Sequence, residues 1–95
     1  MMVVLLLQYT VHPEKAAEYA AWVEAKVPIA LSVPGLVEIK AYRNITGDHR
    51  TTVLDYFEDL AGFAAWRANE AVNQMFAELW QYADNVHTEL LGPDA

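Results

Sequence analysis

The sequence predicts an α+β fold, a four-stranded antiparallel sheet with helices on one face. Three observations carry this. Apolar residues recur with strand, helix, strand, strand, helix and strand character along the chain. Pro, Gly, Asp and Asn stand at the joints between those stretches. The 95 residues suffice for a single domain, read as 1–95, and not for two.

Val3–Val11 is rich in β-branched and large apolar side chains and apolar on both faces, as a central strand is. His12-Pro13-Glu14 starts a helix. Proline suits the first helical position, and Glu14 suits the positive end of the helix dipole. Ala16, Tyr19, Ala20, Val23 and Val27 recur at the helical period. Pro28 removes a backbone donor and is expected to kink or end the regular helix, and Pro34-Gly35 to end what remains.

Leu36–Asn44 alternates, with Val37, Ile39 and Ala41 on one face and Glu38, Lys40 and Tyr42 on the other. Residues 45–50 carry a Gly-Asp hairpin signal, and Thr51–Glu58 is the next strand. Asp59 can cap a short helix through Arg67 by accepting orphan backbone N–H groups. Asn69 can cap a second helix, Glu70 to about Ala83, with Val72, Met75, Phe76, Leu79 and Ala83 as its stripe. Val86–Leu91 is a last short strand, ended by Gly92-Pro93. The order is β-α-β-β-α-β, the ferredoxin-like arrangement.

Composition narrows the partners. There are 13 acidic and 6 basic side chains, a formal charge of −7. That argues against nucleic acid, which needs clustered Lys and Arg, and against anionic lipid surfaces. With no cysteine, disulfides, thiolate metal clusters and cysteine nucleophiles are excluded. The apolar start, Val3–Leu7, is too short for a signal peptide or a membrane span. A cytoplasmic location is expected on that ground.

The chain is 55% hydrophobic, and that excess needs a destination. Grouping strand residues by parity places Leu5, Leu7, Tyr9, Val11, Val37, Ile39, Ala41, Leu54, Tyr56, Val86 and Leu90 under the helices. The opposite face then holds Val4, Leu6, Leu36, Val53, Phe57 and Leu91 among Gln8, Thr10, Glu38, Lys40, Tyr42, Asp55, His87 and Glu89. So many apolar side chains exceed what a wet sheet face needs. Two copies packed sheet to sheet, a homodimer enclosing a partly polar barrel, would cover them.

Phe57-Glu58-Asp59-Leu60-Ala61-Gly62-Phe63-Ala64-Ala65-Trp66-Arg67 resembles a segment of the dimeric α/β-barrel superfamily, in its antibiotic biosynthesis monooxygenase branch. There an aromatic ends strand three, a short charged turn follows, and Phe-x-x-Trp or Phe-x-x-His stands in the helix. The Pro-Gly-Leu entry at Pro34–Leu36 and the Tyr19/Trp22 pair after a Pro-initiated helix are also similar. The order of elements matches over nearly the full chain. The resemblance implies homodimers, with a pocket between each sheet and its helices or within the barrel. Its members include cofactor-free oxygenases of quinol-like aromatics, haem-degrading oxygenases and stress-responsive proteins. The haem-degrading pattern of a strand-one Asn, a helix Trp and a His ten residues later fails here. Trp66 matches, but Phe76 stands at the His position and Leu7 or Gln8 at the Asn position. The cofactor-free reading survives.

The candidate chemistry follows. His87 or Asp55 is the base, since an imidazole beside Glu89, Asp55 and Glu38 gains basicity from its neighbours. Those residues also read as a salt network with Lys40, and no metal is assigned. Trp66, Phe57 and Tyr42 are read as an apolar wall for an aromatic substrate. Gln8 and Tyr42 are placed to hydrogen-bond it. Trp22 and Trp80 sit off their helical stripes and read either as partner contacts or as caps on the core edge. The expected function is cofactor-free oxygenation of a small aromatic or quinol-like molecule. The alternatives are a non-catalytic small-ligand or stress-response module in the same cavity, and a structural dimer with a filled lumen.

Overall fold

The computed structural model describes residues 2–93, so residues 1, 94 and 95 of the expected 1–95 domain lie outside the described residues. The strands are β1 (Val3–Val11), β2 (Leu36–Arg43), β3 (Thr51–Phe57) and β4 (Ala83–Leu91). The helices are α1 (Ala16–Ser32), α2 (Leu60–Ala68) and α3 (Glu70–Leu79), with a 3-10 turn at Pro13–Lys15 ahead of α1. All strand pairs are antiparallel, in the order β2-β3-β1-β4. This is the predicted ferredoxin-like α+β fold. The chain spans only 17 Å in its shortest dimension, so one helical layer covers one face of the sheet. No helix among the described residues is long and apolar enough to cross a membrane.

Local signals set the helix starts. Asp59 caps α2 by accepting from the Gly62 N–H at 2.7 Å. Asn69 caps α3 by accepting from Ala71 and Val72. Two boundaries differ from expectation. Helix α1 runs through Pro28 to Ser32. Glu24 and Pro28 are both exposed, so water can satisfy the carbonyl that proline leaves without a donor. Helix α3 stops at Leu79, and β4 already begins at Ala83, which pairs with Val11. Asn85, at φ 54°, marks the irregularity that lets β4 start this early.

Register decides which face each strand residue takes. Leu5 pairs with Asp55, Leu7 with Val53 and Val3 with Phe57. Leu5, Leu7 and Val3 are buried beneath the helices, so Val53, Asp55 and Phe57 face the helices too. This corrects the parity of β3, because Leu54 and Tyr56 lie on the uncovered face. In β2 the register slips between Leu36 and Glu38. Leu36 is buried, and Val37 is the extra residue, 48% exposed. Ile39 and Ala41 keep their predicted helix-side places beside Asp55 and Val53.

The uncovered face is a grid of three rows crossing β2, β3, β1 and β4. Glu38, Tyr56, Val4 and Leu91 form the first row. Lys40, Leu54, Leu6 and Glu89 form the second. Tyr42, Thr52, Gln8 and His87 form the third.

Candidate functional site

The helix-side core holds a cavity of about 160 Å³. Its floor is Leu7, Val53, Ala41 and Ile39 of the sheet. Its roof is Val23, Val27 and Trp22 of α1 with Met75 and Phe76 of α3, and Trp66 of α2 closes one side. Almost every lining group is apolar, so the few polar atoms that reach it stand out.

The first is the carboxyl of Asp55, only 4% exposed. Burial pushes its pKa up from 3.8 to about 7, because charge is costly where water is excluded. No fully buried side-chain nitrogen or oxygen among the described residues lacks a partner. Asp55 shows no hydrogen bond of its own there, so its carboxyl opens on the cavity.

The second polar feature is a pair of phenols. The Tyr9 and Tyr19 hydroxyls meet at 2.5 Å, tying β1 to α1. Desolvation raises the pKa of both, and at Tyr9 the Tyr19 and Asp55 side chains raise it further. Both phenols therefore stay protonated across the neutral range.

Packing explains how Trp66 is held. It is 3% exposed, its indole N–H donates to the Ala30 carbonyl of α1 at 3.1 Å, and its ring meets Phe57 at 5.2 Å. Gly35 brings the β2 entry against α2. At φ 113° it suits glycine, and a Cβ there would lie 2.3 Å from the Gly62 carbonyl oxygen. At the cavity edge, Glu78 accepts from the Trp22 indole at 2.9 Å and lies 3.6 Å from the Lys26 ammonium. The Trp22 and Gln74 donors hold the Glu78 carboxyl below its usual range.

The residues singled out in sequence divide between the two faces. Asp55 and Trp66 line the cavity together. Phe57 is fully enclosed and supports Trp66 from behind, instead of forming the wall itself. Gln8, Tyr42 and His87 share the third row of the opposite face. There the Gln8 amide donates to Thr52 at 3.2 Å, Thr52 donates to Asn44, and His87 lies 3.6 Å from Glu89. The expected grouping of His87 with Asp55 is thus corrected by register. No cluster of three or more potential metal ligands occurs among the described residues. Tyr9 and Tyr19 were missed as site residues. Their signal was a polar end on each of two otherwise apolar stripes.

A family model for antibiotic biosynthesis monooxygenases matches residues 2–78. The chain belongs to that family. Among curated proteins none matches the sequence significantly. Solved structures share the fold at low identity. SnoaB, a cofactor-independent oxygenase from Streptomyces nogalater, superposes with a TM-score of 0.81 at 17% identity, over 99% of this chain and 94% of that one. A ferredoxin-like DABB family protein from Mesorhizobium loti gives 0.86 at 14% identity, over 99% and 98%. Rv0793 from Mycobacterium tuberculosis gives 0.80 at 12%, over 100% and 97%.

Proposed function

We propose that this chain is a cofactor-independent oxygenase of a small phenolic, quinol-like molecule, with Asp55 as the base. The observation that carries the reading is a single carboxyl, poised near neutral pH, in an apolar cavity walled by Trp66. A base is most effective when its pKa lies near the working pH. Family membership and the SnoaB-like fold support oxygen chemistry as the reaction class.

The reaction balances with dioxygen as the only co-reactant. Ionised Asp55 removes the phenolic proton, and the electron-rich phenolate passes one electron to O2. Superoxide and the phenoxyl radical combine to form a carbon–oxygen bond at a hydrogen-bearing ring carbon ortho to the oxygen. The resulting peroxide takes the proton back from Asp55. Asp55 then removes the hydrogen on that same carbon, a C=O bond forms, and the O–O bond breaks. Hydroxide leaves and takes that proton, so phenol and O2 become quinone and water. The apolar lining limits the water around the radical pair, and Trp66 stacks on the ring.

The working unit in this reading is a homodimer joined through the uncovered sheet face. Val4, Leu6, Leu54, Tyr56 and Leu91 lie there together with no helix above them. Gln8, Tyr42 and His87 then line the barrel between the sheets rather than the reaction cavity.

Oxygen uptake with a panel of phenols and quinols tests the reaction. Asp55→Asn should lose turnover by 100-fold or more, on the order of a general base's contribution. His87→Ala should retain it. Unchanged turnover in Asp55→Asn overturns the assignment. Thermal stabilisation by phenols with no oxygen consumption would favour the non-catalytic ligand-binding reading of the same cavity.

A further inference from the structure

The uncovered face of the sheet carries chemistry that the helix-side cavity does not use. His87 and Glu89 stand two residues apart on β4, so both side chains leave the same face. His49 belongs to the connection between β2 and β3, outside regular structure. That connection is held against β4, because the Asn85 side-chain amide donates to the Asp48 carbonyl at 3.4 Å. Asn85 is also the φ 54° residue at the irregularity of β4. One residue therefore re-aims the strand and brings His49 to it. The His49 and His87 rings come to lie with centroids 6.0 Å apart, tilted by 34°.

These spacings suit a shared metal ion better than direct bonds. The His87 Nε2 lies 3.6 Å from the Glu89 Oε1, beyond hydrogen-bond range. A tetrahedral ion about 2.1 Å from a nitrogen and from an oxygen holds those two atoms about 3.4 Å apart. An ion on a ring nitrogen is about 3.2 Å from the ring centre, so two rings on one ion have centres about 5.2 to 6.4 Å apart. The observed 6.0 Å falls inside that range. Glu89 has no other ion-pair partner among the described residues. Lys40 stands at the far strand of the same row, over the Tyr56 ring. The formal charge of −7 also favours a cation. No three potential ligands among the described residues converge on one point. His87 and Glu89 form one edge of the site, and His49 completes it by turning about its side-chain bonds.

We propose that His87, Glu89 and His49 bind one divalent transition-metal ion of the zinc class, with water in the fourth position. Imidazole nitrogens select such ions over magnesium and calcium, which take oxygen ligands. Binding orders the His49 side chain, so the affinity falls below that of a closed structural site. The site lies on the sheet face opposite Asp55, apart from the reaction cavity, and owes nothing to the oxygenase reading.

The test is titration of the whole chain, first stripped with a chelator, with zinc chloride and separately with magnesium chloride. Calorimetry reads the affinity, and NMR reads the histidine rings. One zinc ion per chain should bind, and magnesium should not bind at the same concentrations. The His49 and His87 rings should shift together, while that of His12, the third histidine, stays in place. His49→Ala and His87→Ala should each weaken zinc by about 10-fold or more, at least what loss of an outer-sphere partner costs. Glu89→Gln should weaken it as well. Copper(II) loading counts the donors, since its electron paramagnetic resonance should show two imidazole nitrogens in the unaltered protein and one in each histidine variant. Absence of zinc binding overturns the proposal, as does zinc that shifts His87 alone or all three histidines alike. An affinity unchanged by either histidine substitution also overturns it, and so does magnesium bound as tightly as zinc. Asp55→Asn should bind zinc unchanged, so loss of oxygen uptake and loss of zinc binding separate the two readings.

Discussion

The hydroxyls of Tyr9 and Tyr19 meet at 2.5 Å across the gap between β1 and α1. Each ring also packs edge-on against the other, with centroids 6.0 Å apart. The contact joins the central strand to the long helix at the end of the cavity away from Asp55. It gives both phenols a partner in a place with little water.

Burial raises both phenol pKa values. A raised folded-state pKa adds stability that is present below the unfolded value near 10 and lost as pH climbs above it. Of the five tyrosines, Tyr9 and Tyr19 should ionise above the ordinary tyrosine range. Ultraviolet absorbance titration at 295 nm checks this. Five tyrosines titrating reversibly near pH 10 would contradict it.

Asp55 gives a signature of the same sign at lower pH. Its folded-state pKa of about 7 lies above the ordinary 3.8. Below pH 4 the carboxyl is neutral in both states and its burial is free of charge cost. As pH rises from about 4 to 7 the unfolded chain ionises first, so stability falls, by at most about 4 kcal/mol. Asp55→Asn should remove that part of the decline. Denaturant unfolding of both proteins at pH 4.5 and 7.5 measures it, and parallel declines would refute the burial argument.

Trp66 links three layers of packing, through the Ala30 carbonyl, Phe57 and Phe76. Trp66→Ala should cost about 3–5 kcal/mol, as expected for truncating a buried aromatic. Trp66→Phe loses the indole donor and some volume and should cost about 1–2 kcal/mol. The difference between the two should appear in urea midpoints. A Trp66→Ala cost under about 1 kcal/mol would mean that the ring is not part of the core.

Much of the architecture could be read from local chemistry. Asp59 and Asn69 announce their helices because a cap needs only its own next few residues. The parity of β3 could not be read that way. Val53 and Phe57 are no more apolar than Leu54 and Tyr56, and the carboxyl of Asp55 weighs the choice toward solvent. Only the pairing of Leu5 with Asp55 turns that carboxyl inward, and pairing depends on residues some fifty positions away. The site was half legible for the same reason. Asp55 and Trp66 were recognised by type, but their separation from His87, and their company with Tyr9 and Tyr19, arise from register and from the path of α1 across β1.

The uncovered face gives a prediction about assembly. Leu54 pairs with Leu6 at the centre of the grid, with no helix above it. Leu54→Asp should leave the fold intact and shift the protein from dimer to monomer, since it puts a charge at the middle of the proposed contact. Size-exclusion chromatography with light scattering reads the mass directly. An unaltered protein that is monomeric at micromolar concentration would contradict the dimer.

The most direct test concerns the Asp55 carboxyl itself. With 13C-labelled aspartate, the Asp55 carboxyl carbon can be followed by NMR from pH 4 to 9, with Asp55→Asn identifying the resonance. A midpoint near 7 is the predicted result, a carboxyl whose ionisation burial delays to neutral pH, where its ionised fraction can take a proton. A midpoint near 4 would mean that water reaches it freely, and the cavity would then hold no base suited to the proposed chemistry.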